Sequence, residues 1–179
     1  TQQELMQALP NLEENIEFAD DVYTLLIELG IELIDSKSSM IWNATPKDVD
    51  SHLEYGNSAC LDGGKKCQVV WNQKSRLGGD LTLDVDVVTG FGPETTTLKG
   101  TVWTSPIVTR LGYSLYNWSN DASMSVSGST VKVYKASGLV RTYNSGPAQV
   151  GRWWQIFCFD KATKNITDVG QPGCSASDF

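Results

Sequence analysis

The sequence predicts a mainly β protein: an antiparallel β-sandwich of jelly-roll or immunoglobulin-like type, preceded by a long N-terminal α-helix. Three observations predict it. Apolar residues within 2–35 recur at alternating spacings of four and three. From residue 40 the pattern changes to period two. Gly-, Asp- and Ser-rich turn signals separate the alternating runs, with no second helical stretch between them. A chain of 179 residues, 40% hydrophobic, can bury a real core in one domain (37–179) and carry an arm (1–36).

The helix is read from Leu5, Leu9, Leu12, Ile16, Ala19, Tyr23, Leu26, Gly30 and Leu33. Val22, Ile27, Leu29 and Ile34 widen the apolar stripe, which suits packing on a surface. Pro10 would break the helix or start a new one. At 1.5 Å per residue the span is roughly 40–50 Å, longer than one face of a small domain. Residues 1–35 hold nine acids and no Lys or Arg, whereas the remainder holds twelve acids and fourteen bases. A negative arm and a positive body on every copy are complementary. The arm is therefore expected to contact other copies of the chain or other chains of one assembly, such as a filament or surface layer, in addition to or instead of its own sandwich, since docking on its own chain satisfies the same complementarity.

Asp35-Ser-Lys-Ser-Ser reads as a linker. Strands are expected at 40–43, 67–72, 81–87, 95–104, 108–117, 130–135, 140–143 and 153–160. The turns between them include Asp62-Gly-Gly, Leu77-Gly-Gly-Asp, Thr89-Gly-Phe-Gly-Pro and Ser145-Gly-Pro.

Composition excludes several functions. A net charge of −7 does not suit nucleic-acid binding. No apolar run is long enough to span a bilayer. One histidine, His52, cannot build a multi-histidine zinc site. There is no Gly-x-Ser-x-Gly elbow, and paired carboxylates on one strand do not face each other across a cleft, so no enzyme is expected.

The four cysteines, Cys60, Cys67, Cys158 and Cys174, fit no zinc spacing. Three connectivities are open, and sequence-near pairing selects Cys60–Cys67 and Cys158–Cys174. Three sequons lie at Asn43, Asn117 and Asn165, the last being the best glycan acceptor. Cysteines and sequons together predict a secreted or cell-surface glycoprotein. The chain begins at Thr1 without a signal peptide, as expected of a processed product or fragment.

Two acidic constellations carry the chemistry. One is Asp48-Val-Asp50-Ser-His52. The other is Asp80-Leu-Thr-Leu-Asp84-Val-Asp86, followed by Gly90-Phe-Gly92-Pro93-Glu94. Strict alternation would send Leu81, Leu83, Val85 and Val87 to the core and Asp80, Thr82, Asp84 and Asp86 to the opposite face. Asp48, Asp50, Asp84 and Asp86, with Asp80 or Glu94 outermost, could supply the hard oxygens that Ca2+ prefers. Gly90 and Gly92 would let carbonyls turn inward.

These residues carry a resemblance. Ile41-Trp42, Asp48-Val-Asp50-Ser-His52-Leu53, Tyr55-Gly-Asn57 and Leu83-Asp84-Val-Asp86 through Gly90-Phe-Gly92-Pro93-Glu94 resemble the YfaP-like secreted domains of unknown function. More remotely, the acidic layout is similar to TerD-type calcium-binding sandwiches. The likeness covers about residues 38–160 and implies a β-sandwich with metal held by Asp48, Asp50, Asp84 and Asp86. It implies no catalytic activity. The Cys60–Cys67 insertion departs from the family spacing.

Six tryptophans remain. Trp42, Trp71 and Trp103 lie in apolar patterns and are expected to be buried. Of Trp153 and Trp154, alternation sends one outward as a ligand or subunit contact. The resulting expectation is an extracellular structural or adhesive module that binds calcium. The alternatives are a calcium-dependent, lectin-like carbohydrate-binding domain and, distantly, a hydrolase.

Overall fold

A computed structural model describes residues 34–57, 59–176 and 179, which belong to one compact unit, Ile34–Phe179. Its strands are β1 (Ile34–Ile41), β2 (Val49–Tyr55), β3 (Leu61–Asp62), β4 (Lys65–Lys66), β5 (Gln68–Val69), β6 (Ser75–Arg76), β7 (Leu81–Val85), β8 (Glu94–Lys99), β9 (Arg110–Asn117), β10 (Thr130–Lys135), β11 (Gly138–Asn144), β12 (Trp153–Asp160) and β13 (Ile166–Asp168). One sheet runs β11-β10-β1-β8-β7-β6 and the other β13-β12-β9-β2-β5, with β3-β4 as a separate hairpin. Every pairing is antiparallel.

Alternation builds the core. Met40, Leu81, Leu83, Leu98, Val131 and Val133 of the first sheet share one buried cluster with Val49, Leu53, Leu111, Tyr113, Leu115 and Phe157 of the second. Two sheets with a common apolar filling form a sandwich. Tyr113 and Tyr143 each stack on Phe157, with ring centroids 5.2 and 5.3 Å away.

The predicted N-terminal helix is corrected at its C-terminal end. Among the described residues no α-helix forms, and helical turns are confined to the 3-10 segments Leu77–Gly79, Gly100–Thr104 and Met124–Val126. Ile34 and Asp35, read as helix, begin β1, which lies between β10 and β8. The supposed linker is therefore a central strand. Ser36 and Ser38 alternate with Met40, and all three are buried. Small serines hid a period-two pattern that bulky apolar residues would have displayed. The rest of the expected helix, residues 2–33, and its expected contacts with other chains lie outside the described residues.

Both predicted bridges form, Cys60–Cys67 and Cys158–Cys174. The first closes the β3–β4 hairpin. Tyr55 Oη donates to Asp62 Oδ2 at 2.8 Å, and the Arg76 guanidinium lies 3.1 Å from the same oxygen, tying that hairpin to β2 and β6. The second joins β12 to the C-terminal segment. Disulfides persist in oxidising environments, and the pair fits such a setting. Among the described residues no helix is long and apolar enough to cross a membrane.

Candidate cation site

One end of the sandwich gathers the acids. Asp48 immediately precedes β2, and Asp50 stands near its start. Glu94 opens β8. Asp86 follows β7, and a β-bulge decides where it points. Leu83 pairs with Thr96 and Val85 with Thr95, so Asp84 is an extra residue opposite their junction. The bulge reverses the alternation. Leu83 is buried, whereas Val85 is 44% exposed, contrary to its expected place in the core. Asp84 and Asp86 consequently do not line one face. Asp84 accepts hydrogen bonds from the Thr82 and Thr97 hydroxyls. Asp86 turns toward Asp50 and Glu94.

One carboxylate oxygen from each of Asp50, Asp86 and Glu94 lies within 4.8 Å of the other two. Asp48 lines the same cleft as Asp50 and Asp86. Glu94 is fully buried, and Asp50 is 3% exposed. Past the end of β5, Ser51 N–H donates to Glu94 Oε2 at 2.8 Å, linking the sheets at the site. Asp48 Oδ1, Asp50 Oδ2 and Asp86 Oδ1 are buried with no hydrogen-bond partner. Lys74 Nζ pairs with the other Asp86 oxygen at 2.7 Å.

Electrostatics follow from this crowding. Burial, and then the charges of Asp48 and Asp86, push the Asp50 pKa up to about 7. Burial, and then Asp50 and Asp86, raise Glu94 well above the usual carboxylate range against the Ser51 hydrogen bond. Asp48 is raised by burial first and Asp86 second, with Lys47 opposing. Buried carboxylates without partners carry a desolvation cost that a cation would offset.

Backbone stitching holds the cleft. Trp118 N–H and Ser119 N–H donate to Asp48 O at 3.0 and 3.3 Å. Asp121 accepts from Lys47 N–H at 3.1 Å, and Gly90 N–H donates to Lys47 O at 2.6 Å. Gly90 and Gly92 mainly provide close approach: a Cβ on Gly90 would meet the Ala44 backbone, and one on Gly92 would meet the Trp42 ring.

The other predicted residues lie elsewhere or play other parts. Asp80 precedes β7, away from the acid cluster, and its carbonyl accepts from Lys99 N–H. His52 is not at the acids. Its ring packs edge-on to Trp153 at 5.0 Å, and burial, then Lys66, lower its pKa to about 4. Trp153 is 47% exposed and Trp154 buried, the division that alternation requires. The Asn117 side chain is fully buried, donates to Ala122 O and accepts from Asn120 N–H, so it is no glycan acceptor in the folded chain. Asn43 is exposed but abuts Gly128, whereas Asn165 is exposed in the turn between β12 and β13.

Sequence reasoning missed three groups at this end. Trp71, expected in the core with Trp42 and Trp103, is 40% exposed, while those two are buried. It sits in the turn closed by Val70 and Gln73, where strand alternation has ended. Trp118 is 51% exposed and lines the cleft with Trp71, their ring centroids 5.4 Å apart. Lys74 reaches the site because its carbonyl accepts from Leu83 N–H at 2.8 Å.

Solved structures resemble the fold of this chain. A protein of unknown function, SAV2460, superposes with a TM-score of 0.57 at 14% identity, over 76% of this chain and 86% of that one. A homologue of the telluride resistance protein TerD from Streptomyces coelicolor A3(2) superposes with a TM-score of 0.56 at 15% identity, over 75% and 86%. The chain shares its fold, remotely, with a TerD homologue. No protein-family model matches the sequence and no curated protein matches it, so the YfaP-like likeness rests on its quoted residues alone.

Proposed function

We propose that this chain is an extracellular, calcium-binding β-sandwich module with a structural or adhesive role. Asp48, Asp50, Asp86 and Glu94 would hold the ion. One observation carries the reading: three carboxylate oxygens, on Asp48, Asp50 and Asp86, are buried without partners, and all three residues line one cleft. An all-oxygen, multiply charged donor set suits Ca2+ rather than Zn2+ or Cu2+. Bound there, the ion would neutralise like charges that now repel. The disulfides support an oxidising setting, and the likeness to YfaP-like secreted domains and TerD-type sandwiches agrees with both parts of the reading.

The test is thermal unfolding with 1 mM-scale Ca2+ and with chelator, alongside native mass measurement. An ion that binds only the folded chain raises the melting temperature by mass action. The expected result is one bound Ca2+ and a rise that chelator reverses. An unchanged melting temperature would overturn the proposal.

A further inference from the structure

The acid cleft is walled by indoles, and the aromatic surface continues beyond it. Trp118 lies 6.1 Å from Tyr116 by ring centroid, Tyr116 lies 4.4 Å from Trp153, and Trp153 lies 5.0 Å from His52. The strand register explains the row. Trp153 pairs with Tyr116, and Tyr116 pairs with Asp50, so the aromatic ladder on β12 and β9 leads to the acid on β2. Arg152 caps Tyr116, its guanidinium carbon 4.4 Å from the ring centroid. Trp71, Trp118 and Trp153 are 40%, 51% and 47% exposed. Three half-exposed tryptophans in one continuous row are unusual on a soluble domain and mark a contact surface.

The acids carry their own observation of a ligand. Asp50 is 3% exposed, yet its Oδ2 has no partner, and its carboxylate lies in the three-acid cluster. Calcium takes six to eight oxygens. Three of the acids, Asp48, Asp50 and Asp86, line an open cleft together with Trp71, Trp118 and Val88. An occupant that touches both the acids and the indoles needs paired neutral oxygens for the cation and a flat apolar face for the rings. A pyranose has both, in its vicinal hydroxyls and its C–H face. A purely apolar protein partner would have no use for the acids.

Resting on the calcium reading, we propose that the cleft binds a saccharide, with ring hydroxyls toward the ion held by Asp48, Asp50, Asp86 and Glu94 and the ring face on Trp71 and Trp118. Tyr116 and Trp153 extend the surface to further sugar units, so the preferred ligand is an oligosaccharide.

The experiment is a glycan array presenting mannose-, fucose-, galactose- and N-acetylglucosamine-terminated oligosaccharides, probed with Ca2+ and with chelator. W118A and W71A are run in parallel, and melting temperature is recorded for each protein. The Trp118 backbone hydrogen bond to Asp48 survives truncation of the side chain. The expected result is retention that requires Ca2+ and falls tenfold or more in both variants, while their Ca2+-dependent rise in melting temperature persists. Three results would overturn the proposal. A Ca2+-dependent thermal rise without retained glycan sinks the saccharide and leaves the cation reading standing. Retention insensitive to chelator sinks the coupling of sugar to ion. Absence of the thermal rise in the unaltered chain sinks the cation reading itself, and this proposal with it.

Discussion

Lys74 satisfies only half of Asp86: its ammonium lies 2.7 Å from Oδ2, while Oδ1 is buried without a partner. The lysine side chain is 50% exposed and can swing away at small cost. In the ion-free chain it serves as a weak counter-charge, and toward a cation it is a competitor. With its lysine end half-exposed, the pair contributes about 0.2–1 kcal/mol. K74M should therefore bind Ca2+ about two- to fivefold more tightly by titration calorimetry. A weaker affinity would show that Lys74 supports the site instead of competing for it.

The raised carboxylates set a pH dependence. Burial and the neighbouring acids push the Asp50 pKa up to about 7 in the folded chain, against the ordinary 3.8 of an aspartate. Between those values the folded state holds more protons than the unfolded state, so stability falls as pH rises through the window. Below it both states are protonated and the penalty vanishes, and above it the penalty is complete. Cation binding needs the ionised form, so its affinity runs the opposite way. The affinity for Ca2+ should drop about tenfold or more between pH 8 and pH 5.5, with protons released on binding. A pH-independent affinity would remove Asp50 from the ligand set.

The bulge in β7 separates two acids that are neighbours in the sequence pattern. Asp86 faces the cluster, and Asp84 is held by Thr82 and Thr97 outside it. D86N should abolish the calcium-dependent rise in melting temperature and raise the melting temperature of the ion-free protein, because it removes a repelling charge from Asp50. D84N should keep the calcium response and lose about 1 kcal/mol from weakened hydroxyl bonds. A calcium response lost in D84N and kept in D86N would reverse this assignment.

Much of the sandwich is legible in period-two runs such as Leu111, Tyr113 and Leu115 of β9, or Val131 and Val133 of β10. The missed strand β2 alternates as well: Val49, Ser51, Leu53 and Tyr55 are all buried. Asp48 just before it, with its own Asp50 and His52, made it read as a ligand loop. The acid cluster was legible as residue types, because Asp50, Asp86 and Glu94, and Asp48 beside them, were all named. Its membership was not. Removing Asp84 depends on one extra residue in a ladder, and a bulge leaves little mark on local hydrophobicity. Trp71 shows the complementary difficulty, an apolar residue one position beyond the last residue that the fold needs inside.

The two disulfides differ in what they anchor. They close separations of 7 and 16 residues, for which the chain-entropy model gives about 2.5 and 3 kcal/mol. Cys158 and Cys174 are both buried, and their bridge holds the C-terminal segment to β12. Paired alanine substitution at 158 and 174 should therefore cost more than at 60 and 67 in urea unfolding. The opposite order would place the main constraint at the β3–β4 hairpin.

Gly92 couples the site loop to the core. Its φ is +72°, and an added Cβ would lie 2.8 Å from Trp42 Cζ3 and 3.0 Å from Met40 O. Trp42 and Met40 are buried, so neither can move aside freely. Gly63, with φ +57°, has nothing within 4 Å and serves as the control for backbone conformation alone. G63A should cost about 1 kcal/mol for the left-handed residue. G92A should cost about 2–4 kcal/mol from the same strain plus the clash. Because Gly92 lies between Asp86 and Glu94, displacing it should also weaken Ca2+ binding, which G63A should leave unchanged. Equal effects of the two substitutions in urea unfolding and calcium titration would show that the loop is not braced against Trp42.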